Sequence, residues 1–239
     1  MNETPRNETP SNETPPVIVA SPARVLRLDD LPATPWRNGG GVTRELARAE
    51  LPGGSGFAWR LSIADIDRPG PFSDFQGYRR QLILLAGHGL HLGGPGMRGV
   101  RLDRPGDMHV FDGAAPVSAT LYGGPCRDVN LMTAHAAPCH WEVQLLRDAS
   151  LDLAGGFALF PVQGQWQARA VDAAGATGGD GDASCTDTAA DDAGKAASSA
   201  PCIAGPGDVL AHLDAPAAST LHCAGSGLAI LLRLRPHRS

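Results

Sequence analysis

Between two stretches of low complexity, apolar and polar residues alternate with a period of two. In FAWRLSIADI (57–66), Phe57, Trp59, Leu61 and Ile63 fall on one face, with Arg60, Ser62 and Ala64 on the other. That is the signature of a half-buried strand. RQLILLAG (80–87), RDVNLMT (127–133), HWEVQLL (140–146) and GLAILLRLR (227–235) are further runs of strand length. Glycine and proline turn signals such as HGLHLGGPGMRG and DRPGD separate the runs at short intervals, as in an antiparallel sandwich or barrel. No long helical period competes, and the chain is expected to be all-β.

The two excluded stretches have their own character. NETP occurs three times, from Asn2, Asn7 and Asn12, and proline at every fifth position opposes both helix and ladder, so residues 1–16 are expected to be a disordered tail. Each NET is formally a glycosylation sequon, but no cationic start followed by an apolar stretch is seen, and the sequons are expected to carry no function. From about 170 to 200 the chain is rich in Ala, Gly, Asp and Ser, and reads as a loop inserted between strands. A calcium loop beginning at Asp180 is rejected, because Cys185 stands where an EF-hand needs glycine and no closing glutamate follows.

An internal repeat organises what remains. PGDMHVFDGAAPVSATLYGGPCRDVNLMT, from Pro105, resembles PGDVLAHLDAPAASTLHCAGSGLAILLR, from Pro206, with a one-residue gap. Two similar halves are expected, divided at about residues 17–137 and 138–239. Aligned 100 apart from Thr120 and Thr220 onward, Asp128, Asn130 and Met132 share one face of a strand opposite Leu228, Ile230 and Leu232. A looser alignment sets Arg80 against Phe157. A carboxylate, an amide and a guanidinium on an inward face are costly without partners. Either they pair with one another or a ligand pocket lies in the first half.

The stretch WRNGGGVTRE (36–45) points to the same half. Gly39, Gly40 and Gly41 permit backbone conformations closed to other residues, Arg37 and Asn38 offer hydrogen bonds, and Trp36 serves as core or as platform. Thr43 and Glu45 face one way and Arg44 the other, and an arginine fork suits a carboxylate. The candidate binding residues are therefore Trp36, Arg37, Asn38, Gly39, Gly40, Thr43, Arg44, Glu45, Arg60, Arg80, Asp128, Asn130 and Met132.

Composition narrows the partners. A net charge of −5 over 239 residues, without a basic run, excludes a nucleic-acid groove or a membrane-surface patch. A small anionic metabolite is the expected partner, and a homodimer is left open. Five cysteines with no CxxC pair fit neither a disulfide framework nor a zinc site and suit a reducing cytoplasm. No run reaches the ~18 apolar residues of a membrane span.

No metal or other cofactor is expected. His88 and His91 fall on opposite faces of a strand and cannot share an ion without a bulge, and His109 reads as a turn or surface residue. No GxSxG elbow is present, so no catalytic residue is assigned. Asp128 with Glu45 leaves acid/base isomerisation open.

WRNGGGVTRE, then FAWRLSIADI with GPFSDFQGYRRQLILLAG, then RDVNLMT, resemble the HutD/Ves family over about Val25 to Leu234. The resemblance implies a bicupin: two fused antiparallel β-barrels of the double-stranded β-helix, jelly-roll type. It also implies a bacterial, cytoplasmic protein linked to histidine utilisation, acting as a regulator that binds a small carboxylate such as urocanate or N-formylglutamate. Alternatives are a cupin-type isomerase or hydrolase acting on a similar acid, and a structural protein working through its surface.

Overall fold

The computed structural model describes residues 23–54, 56–171, 201–213 and 220–237. The tail expected at 1–16 lies outside the described residues, as does nearly all of the insertion expected at 170–200. The strands of the first half are β1 Arg24–Arg27, β2 Ala33–Pro35, β3 Gly41–Glu50, β4 Phe57–Ile66, β5 Gly70–Pro71, β6 Tyr78–Gly87, β7 Leu90–Gly93, β8 Val100–Leu102, β9 Met108–Asp112, β10 Ser118–Leu121 and β11 Cys126–Ala134. Those of the second are β12 Cys139–Arg147, β13 Ser150–Ala154, β14 Phe157–Pro161, β15 Trp166–Ala170, β16 Cys202–Ala204, β17 Asp208–His212, β18 Thr220–Gly225 and β19 Leu228–Pro236. A 3-10 turn, Leu28–Asp30, is the one helical element among the described residues, none of which forms a helix long and apolar enough to cross a membrane.

The strands form four sheets, ordered β5-β10-β7-β8, β2-β3-β4-β11-β6-β9, β1-β17-β14-β19-β12 and β13-β18-β15-β16. Three apolar clusters stack them in that order. Ala64, Leu82 and Leu84 pack on Leu90, Leu92 and Ala119; Leu61, Ile63, Val129 and Leu131 pack on Ala158, Phe160, Ile230 and Leu232; Leu159, Ala229 and Leu231 pack on Leu153, Trp166 and Leu221. Period-two alternation is what allows each central strand to serve two layers. The sheets stay open rather than closing into barrels, and β1 is hydrogen-bonded along its length to β17, far away in sequence.

Compared strand by strand, the last strand of the expected repeat needs a different register. Gly87 lies against Pro125 and Cys126, and Gly164 lies against Ser226 and Gly227. In the ladders Met132 pairs with Arg80, and Arg233 pairs with Phe157. Asp128, Asn130 and Met132 therefore correspond to Ala229, Leu231 and Arg233, not to Leu228, Ile230 and Leu232. The expected spacing of 100 fails because one residue is gained in the turn before the last strand, and a one-residue slip moves every side chain to the other face. The matching of Arg80 with Phe157 stands.

Gly41 shows how tightly the first half is drawn together. A Cβ there would run into the carbonyl oxygen of Asp65 on β4. Gly41→Ala is expected to destabilise the protein by about 1–3 kcal/mol, the usual cost of overpacking. A urea midpoint unchanged from wild type would show that the β3–β4 contact yields more than its geometry suggests.

Candidate functional site

On the face of the six-stranded sheet turned toward β5-β10-β7-β8, the chain presents polar groups in cross-strand rows. Arg60 and Arg80 flank Met132, Ser62 and Leu82 flank Asn130, and Thr43 stands beyond Ala64 in the row that contains Asp128 and Leu84. Rows lie about 7 Å apart, two residues along a strand. The Trp36–Asn38 turn and the Pro71–Phe75 loop complete the wall of a cavity of about 660 Å3. That volume is ordinary for a small-molecule site.

Arg80 is 2% exposed, and its guanidinium carbon lies 5.1 Å from the ring centres of Phe72 and Phe111 and 5.6 Å from that of Phe75. Its Nη1 donates to the Ser73 carbonyl at 3.2 Å, while its Nε has no partner. Three aromatic faces hold the cation in place and leave hydrogen-bonding capacity unused. Burial lowers its pKa to about 10, with Asp128 opposing the shift and Arg60 adding to it.

Asp128 is 1% exposed, and neither carboxyl oxygen has a hydrogen-bond partner. Burial pushes its pKa up to about 7 against the pull of Arg80, and Asp65 adds to the rise. The Asn130 Oδ1 is likewise buried and unpartnered. Native proteins rarely leave such groups unsatisfied. Of the two alternatives, direct pairing of Arg80 with Asp128 is reduced to an electrostatic interaction without a hydrogen bond.

Of the thirteen residues singled out in the sequence, Trp36, Arg37, Asn38, Thr43, Arg60, Arg80, Asp128, Asn130 and Met132 line the cavity. Arg44, Glu45, Gly39 and Gly40 do not. Arg44 leaves by the other face of β3, where it and Arg127 clasp Asp65. Burial is the largest influence on Asp65 and raises its pKa, but Arg127 and Arg44 together hold it below the usual value. Glu45 acts at one remove, its Oε2 accepting from Arg60 Nε at 2.7 Å and so aiming that guanidinium.

The glycines form the turn rather than the wall. Gly39 has φ +66°, and the Gly40 carbonyl accepts the Asp67 and Arg68 amides. Asn38 is largely spent inside this turn, since its Oδ1 accepts from Gly40 N at 2.9 Å and its Nδ2 donates to the Pro71 carbonyl at 3.3 Å. Trp36 donates from Nε1 to Thr43 Oγ1 at 2.8 Å and packs edge-on to Phe72, with ring centres 6.0 Å apart.

Sequence reasoning missed Thr34, Pro35, Ala64, Pro71, Phe72, Ser73 and Phe75. The PFSDF segment carried a signal, two phenylalanines in a turn too short to have its own core, but only packing shows them closing over Arg80. His109 is another correction, being half-buried in β9 and stacked on Phe111 at 5.9 Å rather than in a turn. Among the described residues, no three His, Cys, Asp or Glu side chains converge to hold a metal ion.

The stacked antiparallel sheets with a polar cavity under one of them make an all-β protein of cupin-like fold. The structure superimposes on a Cupin 2 conserved barrel domain protein from Leptotrichia buccalis with a TM-score of 0.51, covering 90% of this chain and 97% of that one at 8% identity, a likeness of fold alone. The HutD family model matches residues 28–203, and the chain belongs to that family.

Two relatives agree. HutD from Pseudomonas fluorescens, whose structure was solved in a formate condition, is 28% identical with a TM-score of 0.66, over 90% of this chain and 100% of that one. A Pseudomonas putida protein described as a 21.2 kDa protein in the hutC 3′ region is 46% identical over 114 residues, which is 48% of this chain. The match spans 60% of that relative's length.

Proposed function

We propose that the cavity binds a small carboxylate metabolite of the urocanate or N-formylglutamate class, and that the protein thereby tunes histidine utilisation in the cytoplasm. The observation that carries this reading is the set of unused groups in one cavity: Arg80 Nε, both oxygens of Asp128 and Asn130 Oδ1. A carboxylate answers the arginine end, where Arg60 stands beside Arg80 across Met132. An N–H donor answers Asp128 and Asn130. Urocanate and N-formylglutamate carry both groups, whereas formate has no N–H. The hutC-region relative supports the link to histidine utilisation.

In this reading the halves 17–137 and 138–239 are two cupin units of a bicupin. The second has lost its pocket to Phe157, Ala229 and Leu231, all fully buried. The partner is a small anion rather than nucleic acid or membrane, and a homodimer is compatible with it.

The test is thermal unfolding of the full chain with urocanate, N-formylglutamate, formate, glutamate and histidine, each with and without EDTA. A ligand at 100 times its Kd stabilises by about 2.7 kcal/mol, and a shift with urocanate or N-formylglutamate that survives EDTA is expected. No shift with any of the acids would remove the ligand reading.

One observation favours an enzyme instead: Asp128 is buried in the cavity wall with neither carboxyl oxygen hydrogen-bonded, and burial pushing its pKa up suits a general acid or base. Turnover of such an acid by wild type, lost in Asp128→Asn, would select that alternative.

A further inference from the structure

At the far end of the stack from the cavity, the outer face of the sheet β13-β18-β15-β16 carries three side chains joined in sequence. Ser150 and Asp152 are alternate residues of β13 and so share a face, and His222 on β18 is the cross-strand partner of Asp152. His222 Nδ1 lies 2.7 Å from Asp152 Oδ1, and its Nε2 lies 3.1 Å from Ser150 Oγ.

An ionised aspartate only accepts hydrogen bonds, so Nδ1 carries the imidazole proton and Nε2 of the neutral ring is left to accept from the serine hydroxyl. That is the order of nucleophile, base and orienting acid that activates a serine. The cluster rests on a packed underside of Leu153, Trp166, Leu221 and Cys223. The turn leading into Ser150 is pinned by Asp148, a residue at φ +44° whose Oδ1 accepts the Gly227 amide at 2.7 Å.

Two further polar side chains flank the cluster on the same face. Arg169 is the partner of His222 on its other side, and Gln167 stands beyond Ala224 in the row of Ser150. Among the described residues Arg169 and Gln167 make no side-chain hydrogen bond or ion pair, and both share the face of Ser150, where a guanidinium or amide N–H could meet a developing oxyanion. Ile203, 55% exposed, ends the Ser150 row next to Gln167 and offers an apolar contact.

We propose that this face is a second site, a serine-hydrolase centre for small acyl esters, with Ser150 as nucleophile, His222 as general base and Asp152 as the residue that positions the imidazole. Ser150 Oγ attacks the ester carbonyl carbon while its proton passes to His222 Nε2. The tetrahedral adduct collapses by breaking the bond to the alcohol oxygen, which takes that proton and leaves. Water then attacks the acyl-serine, giving up a proton through His222, and releases the acid with Ser150 restored. The site is independent of the carboxylate cavity.

The test uses the full chain with a fluorophosphonate probe, read by intact mass and peptide mapping, beside p-nitrophenyl acetate hydrolysis. One adduct on Ser150 with loss of fluoride is expected, absent in Ser150→Ala. Labelling should slow by about 100-fold in His222→Gln, in line with loss of general-base catalysis. It should also slow in Asp152→Asn and partly recover in Asp152→Glu. Ser150 is exposed, so Ser150→Ala should melt as wild type does. Absence of a Ser150 adduct in wild type, or ester hydrolysis undiminished in Ser150→Ala, overturns the proposal.

Discussion

Arg80→Ala is expected to weaken binding of urocanate or N-formylglutamate by roughly 10- to 150-fold, corresponding to about 1.5–3 kcal/mol for a lost charge-assisted hydrogen bond. The cation is already desolvated among Phe72, Phe75 and Phe111, so an incoming carboxylate does not have to strip it of water. Arg80→Lys should recover only part of the loss, because an ammonium cannot reproduce the planar fork. Binding separates from folding in Arg80→Met. A thioether fills the phenylalanine cage, and Asp128, which faces Arg80 without a hydrogen bond, stays neutral by keeping its proton once the cation is gone. At about pH 5, where burial keeps Asp128 protonated in both proteins, the melting temperature of Arg80→Met should therefore be close to that of wild type while binding is lost. Phe157, the buried counterpart in the second half, shows that the fold accepts an apolar residue here. Calorimetric titration of Arg80→Ala and Asn130→Ala decides the matter, and unchanged affinity in both would falsify the site.

The second large effect belongs to Asp128. Its pKa is raised in the folded protein, from an ordinary 3.8 to about 7, so between those values the folded state binds more protons than the unfolded chain. Stability is then greatest at the acid end of the window and falls as pH rises from about 4 to about 7. A shift of roughly three pH units corresponds to about 4 kcal/mol if all of it is expressed. Asp128→Asn carries no such charge. It should be more stable than wild type by a few kcal/mol at pH 8, with the difference vanishing near pH 4. Asp65, shifted the other way by Arg127 and Arg44, adds stability that is lost only as pH falls below the normal aspartate range. Its contribution cancels in the comparison. A stability difference between the two proteins that is flat from pH 4 to pH 8 would show that the carboxyl is not desolvated as the cavity implies. Binding gives an independent readout. A ligand that donates an N–H to Asp128 favours its ionised form, so affinity should rise with pH through about 7 in wild type and stay level in Asp128→Asn.

How much of this was legible in the sequence follows from the reach of each interaction. Alternation in FAWRLSIADI and RDVNLMT is local, and it correctly sets Arg60, Asp128, Asn130 and Met132 against Leu61, Ile63, Val129 and Leu131 on opposite faces. The same parity argument correctly separates Thr43 from Arg44. It does not say which face of β3 meets the cavity, and the ion pair of Arg44 with Asp65 lies on the other side. The repeat was visible, yet its register slipped by one residue in a turn, where spacing carries no facing information. The phenylalanine cage joins a loop to a strand about forty residues away, and the Ser150–His222–Asp152 relay spans about seventy. Neither has a local signature.

By itself, then, the sequence determined the strand character, the face on which each side chain falls within its strand and the family, because backbone pleating and motif order are properties of contiguous residues. Only the tertiary structure decided which faces enclose a cavity, that Arg80 and Asp128 stay unpaired within it, and that Glu45 steers Arg60. Those outcomes depend on which strands become neighbours and which loops fold over them, and that is set by packing among residues far apart in the chain.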